Sequence, residues 1–142
     1  MGDFVYRIFN ALGYSHPFHP VLTHLVIGPV IAAFLLSLWG WIFKKPILYQ
    51  TARHLTVLAF VMWFFTAAMG VIDWQHFYSG ELLPAIKMKM ILASVLFVIL
   101  LSTILVNRKL PSESRIPIIL YALSTACVLG LGYFGGSLVF GS

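Results

Sequence analysis

Four apolar segments, each long enough to cross the hydrocarbon core of a bilayer, constrain this chain more than any other feature. They cover about residues 18–43, 52–72, 85–106 and 116–140, and a membrane-spanning helix needs about 20 apolar residues. Of the 142 residues, 61% are hydrophobic and 9% are charged, whereas a soluble domain is about one quarter charged. We therefore predict an all-α integral membrane four-helix bundle, formed as a single transmembrane domain by residues 1–142.

The residues before the first span predict a short helix lying in the membrane interface. Asp3 suits the start of such a helix and Gly13 its end, because an acidic side chain favours a helix N-terminus and glycine commonly follows a C-terminus. Apolar residues recur between them at helical spacing, as in interfacial helices. These residues are Phe4, Val5, Ile8, Phe9 and Leu12.

Basic residues are divided unequally between the two sides of the predicted bundle. One side carries Lys44, Lys45, Arg53, Arg108, Lys109 and Arg115 against Glu113, which accounts for the whole formal net charge of +5. Because basic loops stay in the cytoplasm, we predict a multi-pass protein with both termini outside. Topology thus explains the charge, and no nucleic-acid partner is predicted.

Ionisable residues cluster on the other, neutral side. They are His16, His19, His24, Asp73, His76, Glu81, Lys87 and Lys89. At a rise of about 1.5 Å per residue, His19 is level with His76, and His24 is level with Asp73 or Gly70. An ionisable side chain inside a membrane span indicates a functional site.

Two cofactor interpretations of this cluster are open. In one, b-type haem or a metal ion is bound near the outer face by His24 and either His19 or His76, while Asp73 orients one imidazole. Gly28, one turn beyond His24, leaves space for a macrocycle. No C-x-x-C-H motif is present, which excludes conventional c-type attachment.

In the other, His24 and Asp73 bind a quinone or relay a proton without a metal. A structural interpretation also stands, in which His24, Asp73 and Lys87 form a hydrogen-bonded network across three helices.

Function is accordingly predicted as a redox-associated membrane subunit that holds haem b or a metal. The predicted cofactor-binding residues are His19, His24, His76, Asp73 and Gly28, with His19, His24 and His76 as metal ligands. The alternative is a cofactor-free structural or assembly subunit of a larger complex. We expect an electron-transfer or accessory subunit rather than an enzyme on its own. Its expected partners are the lipid bilayer and either other membrane or outer-face redox subunits or further copies of the chain.

Three motifs follow one another along the chain: HPxxxH at residues 19–24, GxxDW at 70–74 and GGSLV at 135–139. In this order they resemble a bacterial family of small four-helix membrane proteins catalogued as domain of unknown function 2231. The resemblance covers about residue 16 to the end. It implies that the protein is located in the bacterial inner (plasma) membrane. Many similar sequences place a histidine early in the third helix, where this chain has Lys87-Met88-Lys89-Met90. Met90 or His76 is the candidate replacement ligand.

Overall fold

Five helices follow one another in the computed structural model, which describes residues 2–13, 19–111 and 114–140. They are α1 (Gly2–Ala11), α2 (His19–Phe43), α3 (Pro46–Phe77), α4 (Pro84–Lys109) and α5 (Arg115–Phe140). The four from α2 to α5 are long and apolar enough to cross a membrane. The prediction of an all-α membrane bundle with a short N-terminal helix is confirmed.

The helix α3 extends beyond its predicted apolar span at both ends. Its 32 residues reach about 48 Å, compared with a hydrocarbon core of about 30 Å. Pro46 occupies the start of the helix, where its missing N–H costs no hydrogen bond. Hydropathy marks only the segment buried in hydrocarbon, whereas the helix continues through the interface on both sides.

The four long helices form a closed ring. α2 and α4 each pack on both α3 and α5, and α1 packs on α3. Apolar residues from all four long helices form the centre: Val26, Val30, Ala59, Leu96, Leu100 and Val128. We call the end with α1, the start of α2 and the end of α3 the histidine end, and the opposite end the basic end. Many large apolar side chains lie exposed on the outside of the ring, as a lipid environment requires.

The interfacial stripe predicted on α1 is divided in the structure. Val5 and Phe9 are half-buried, whereas Phe4, Ile8 and Leu12 are exposed. Tyr6, which lies off that stripe, is 2% exposed. The helix therefore attaches to the bundle through one face and presents a second apolar face outward.

We expect Gly40→Leu to lower the thermal unfolding midpoint. A Cβ atom at Gly40 lies 3.2 Å from Cβ of Leu48 and 3.3 Å from the carbonyl oxygen of Lys45, so a side chain there forces α2 and α3 apart. Overpacking of this kind costs about 1–3 kcal/mol. Gly28→Leu in the same helix is the matched control, because a Cβ there meets nothing within 4 Å. Thermal scans by circular dichroism in detergent compare the two, and equal midpoints contradict the prediction.

Candidate functional site at the histidine end

A buried carboxylate, Asp73, is the centre of the histidine end. Asp73 is 5% exposed, and its Oδ1 accepts a hydrogen bond from the Tyr6 hydroxyl. Its Oδ2 accepts the backbone N–H of His19 at 2.9 Å. The first N–H groups of a helix have no partner within that helix and favour a nearby negative charge. Asp73 on α3 therefore caps the N-terminus of α2 and holds α1 at the same time.

The His19 ring lies against the backbone of α3. Its Nδ1 is 2.9 Å from the carbonyl oxygen of Thr66, and because a carbonyl only accepts, Nδ1 carries the proton. In the neutral ring Nε2 then holds the lone pair, and the described residues provide it with no hydrogen bond. Gly70 makes this position possible, since a Cβ there lies 3.0 Å from both Cε1 and Nδ1 of the ring.

Lys89 of α4 also lies at this site, next to α5. It is half-buried and close enough to Asp73 and His19 to interact with both electrostatically. Its Nζ lies 3.8 Å from the position of a Cβ at Gly135, an ordinary van der Waals distance, so the ammonium group is next to α5. We call Asp73, His19, Tyr6, Thr66 and Lys89 the Asp73 site.

His76 forms a separate layer that secures α1. Its Nδ1 is 2.9 Å from Oδ1 of Asp3, and its ring stacks on Tyr6 with centroids 4.3 Å apart and planes 13° apart. Phe77 meets the same tyrosine edge to face. His76 thus lies at the end of the bundle where its sequence position predicts, but its ring is engaged by α1.

Not every predicted site residue joins the Asp73 site. The structure brings His19 and Asp73 together, whereas His24, Gly28 and Lys87 are exposed. The predicted hydrogen-bonded network of His24, Asp73 and Lys87 is not formed, because His24 and Lys87 lie on outward faces of their helices. His16 lies outside the described residues.

The sequence predicts metal ligands at the histidine end. Within the part of the chain that the structure describes, no three side chains of histidine, cysteine, aspartate or glutamate converge as a metal site.

Comparison with known protein families identifies the family of this chain. The family model described as "Predicted membrane protein (DUF2231)" matches residues 15–142. The chain belongs to this family. No match was found among curated proteins or among solved structures. The matched stretch contains His19, Asp73 and Lys89, whereas α1 with Tyr6 precedes it.

An apolar groove lies on the outside of the bundle and is lined by residues of α1, α2 and α3. It has a volume of about 490 Å³ and is lined by Phe9, Leu22, Leu25, Met62, Phe65, Ala68 and Met69. Leu22 follows His19 by one turn of α2, and Met69 adjoins Gly70 on α3. The groove therefore lies along α2 and α3 with Phe9 of α1 in its lining, and it includes residues within one helical turn of His19 and Gly70.

Two residues of the Asp73 site were not predicted from the sequence, Tyr6 and Thr66. Thr66 holds the histidine through its carbonyl, and its hydroxyl donates to the Leu22 carbonyl at 3.2 Å. The spacing of Thr66, Gly70 and Asp73 places them on one face of α3, which is a signal that identifies Thr66. Tyr6 carries no comparable signal, because it lies off the apolar stripe of α1.

Proposed function

We propose that this protein is a redox-associated integral membrane subunit that binds the head group of a lipid-soluble quinone at the Asp73 site. One observation carries the proposal: a buried carboxylate lies beside an imidazole whose Nε2 receives no hydrogen bond from the described residues, on the two helices that also line an apolar groove. A quinone has a small polar ring and a long apolar tail. Ligand sites of this kind combine a mostly apolar surface with a few placed polar groups.

The polar groups of the site match both redox forms of such a head group. The carbonyl oxygens of the quinone need donors, which the Lys89 ammonium and the Tyr6 hydroxyl supply. The hydroxyls of the quinol need acceptors, which Nε2 of His19 and the Asp73 carboxylate supply. Tyr6 already bonds to Asp73, so binding of a head group requires its hydroxyl to exchange the carboxylate for the quinone carbonyl as acceptor.

The groove supports the same ligand because it opens on the lipid-facing side of α2 and α3. Its lining of leucine, methionine, phenylalanine and alanine side chains suits an isoprenoid tail. A tail in this groove places the ring next to His19 without passing through water. Electrons for the quinone come, on this proposal, from a partner subunit on the outer face.

A second candidate, b-type haem or a metal ion, is favoured by one specific contact. Histidines that bind metals donate their other ring nitrogen to a carbonyl or a carboxylate, as Nδ1 of His19 does toward Thr66. His19 is thus a predicted ligand whose Nδ1 is anchored for this role, and His76 is another, with its Nδ1 against the Asp3 carboxylate. A second ligand from His76 requires its ring to move from its stack on Tyr6, and one from His24 requires a second copy of the chain.

The membrane side follows from the charges and remains part of the proposal. The basic end carries the lysines and arginines next to the ends of α2 and α4, and basic loops face the cytoplasm. We place the protein in the bacterial inner membrane with α1 and the Asp73 site on the outer face.

We expect Asp73→Asn and His19→Gln to weaken quinone binding about tenfold or more, because each removes a hydrogen bond to a charged or anchored group. The measurement is a titration of nanodisc-embedded protein with decylubiquinone, followed by tryptophan fluorescence, together with the quinone extracted from gently purified protein. His24→Gln is the matched control, because this exposed histidine is on the same helix.

Equal affinity in the wild type and both site variants overturns the quinone proposal. A visible spectrum of the same samples separates the alternatives: a Soret band with a sharp reduced α band that is lost in His19→Gln identifies haem. Protein that holds no quinone, haem or metal is instead a cofactor-free structural subunit.

A further inference from the structure

A second polar pocket lies at the basic end, far from the Asp73 site. It is formed between α3 and α4, has a volume of about 300 Å³ and is lined by Arg53, Val57, Ile104, Asn107 and Arg108. Nothing in the proposed quinone function uses it. Its two guanidinium groups require an explanation, because like charges that share one pocket repel each other.

The two helices give this pocket a polar and an apolar level. Val57 follows Arg53 by one turn of α3, and Ile104 precedes Arg108 by one turn of α4, so each pair lies on one helix face. α3 runs from the basic end into the bundle, and α4 runs toward the basic end. Both arginines are therefore at the mouth of the pocket, and both aliphatic side chains are one turn deeper.

The arginines keep donors available for a ligand. Arg53 donates one N–H from its Nη2 to the carbonyl oxygen of Leu110 at 3.2 Å, and a guanidinium has five N–H donors in total. No ion pair of Arg53 or Arg108 with a carboxylate occurs in the described ranges, where the ion pair present joins His76 and Asp3. Asn107 is 8% exposed and donates to the Tyr121 hydroxyl at 2.9 Å, which fixes the wall between the arginines and the core.

The depth of the pocket matches the level of lipid phosphates. α3 exceeds the hydrocarbon thickness by about 18 Å, so about 9 Å of it projects at each end. Arg53 lies two turns after Pro46, about 10 Å along the helix, and Arg108 lies in the last turn of α4. Both guanidinium groups are thus at the boundary between hydrocarbon and head groups, with Val57 and Ile104 just inside it.

We propose that this pocket binds the phosphate of an anionic phospholipid, with the first part of an acyl chain against Val57 and Ile104. Guanidinium groups bind phosphate oxygens through paired, charge-assisted hydrogen bonds. Basic pockets between membrane helices on the cytoplasmic side are suited to anionic head groups. A lipid phosphate neutralises the two arginines, and its acyl chain stays in the bilayer.

The test uses the full-length protein in nanodiscs or detergent, with phosphatidylglycerol as the probe and native mass spectrometry as the readout. We expect the double variant Arg53→Gln/Arg108→Gln to lose about 30-fold in phosphatidylglycerol affinity, since two basic groups near a phosphate contribute that much. The matched control is Lys45→Gln/Lys109→Gln, which removes the same charge from exposed positions at the same end. We expect it to retain the bound lipid.

Two further measurements keep the result decisive if the arginine variant folds poorly. Val57→Trp fills the apolar level without changing any charge and is expected to weaken phosphatidylglycerol binding, while phosphatidylcholine is expected to bind weakly to every variant. Equal losses in the arginine and lysine variants overturn the proposal, as does unchanged binding in Val57→Trp. Inorganic phosphate that binds as tightly as phosphatidylglycerol also overturns it, because the site is then one for a free anion.

Discussion

Replacing Asp73 with alanine is expected to release α1 from the bundle. The change removes the acceptor of both the Tyr6 hydroxyl and the His19 backbone N–H. Removing the acceptor of a buried hydrogen bond costs about 1–3 kcal/mol, and the N-terminus of α2 also loses its negative charge. α1 has 10 residues, and a helix of that length is marginal on its own. The loss of stability therefore affects mainly the attachment of α1 to the bundle.

Hydrogen–deuterium exchange of the α1 amides measures this release. We expect exchange in Asp73→Ala to be at least about tenfold faster than in the wild type, because local opening reports the free energy of local unfolding. Tyr6→Phe, which removes one of the two bonds, is expected to have a smaller effect in the same direction.

Asp3→Ala is the matched control for this experiment. Asp3 also bonds across from α1 to α3, with Nδ1 of His76 at 2.9 Å, but its side chain is 84% exposed. Exposed ion pairs contribute little to stability. If Asp3→Ala and Asp73→Ala accelerate exchange equally, burial of Asp73 is not what holds α1.

Helix number and depth could be predicted from the sequence because they depend on apolar length. The four spans correspond to α2 through α5, and His19, Asp73 and His76 lie at the same end of the bundle as their positions along the helices predict. Depth needs only the rise per residue. The ends of α3 could not be predicted this way, because hydropathy does not follow a helix into the interface.

The direction in which each histidine points could not be predicted by hydropathy. A helix that is apolar on all sides has no hydrophobic face to distinguish, so hydropathy does not set His19 above His24, which is the first predicted ligand. Small and buried positions mark the core face of α2, namely Val26, Val30, Ala33, Ser37 and Gly40. His19 precedes Val26 by two turns and shares its face, whereas His24 is displaced from it by about half a turn.

Tyr6 shows a different limit of sequence analysis. The apolar stripe of α1 correctly indicates a helix, but the face that attaches to α3 is chosen by a buried hydrogen bond to Asp73. Such a bond joins residues that are 67 positions apart, and no local pattern records it. For the same reason the sequence did not assign the site to His19, Asp73 and Tyr6 together.

The contact between Gly70 and His19 leads to the second large effect. We expect Gly70→Ala to destabilise the protein by about 1–3 kcal/mol, as overpacking does. A Cβ there lies 3.0 Å from Nδ1 and Cε1 of the His19 ring, so the ring must shift by a few tenths of an ångström and strains its hydrogen bond to the Thr66 carbonyl. The start of α2 then shifts away from Asp73, and quinone binding is expected to fall with it.

A double-mutant cycle isolates this contact. In a His19→Ala background the ring is absent, and Gly70→Ala is then expected to be stabilising by up to about 1 kcal/mol, because alanine favours a helix over glycine. Gly136→Ala, which meets nothing within 4 Å, reports the helix effect alone at the same end of the bundle. Unfolding by SDS in mixed micelles, followed by circular dichroism, measures all of these variants. The sign of the Gly70→Ala effect must reverse between the two backgrounds. If Gly70→Ala lowers stability equally in both, the histidine ring is not the reason for glycine at this position.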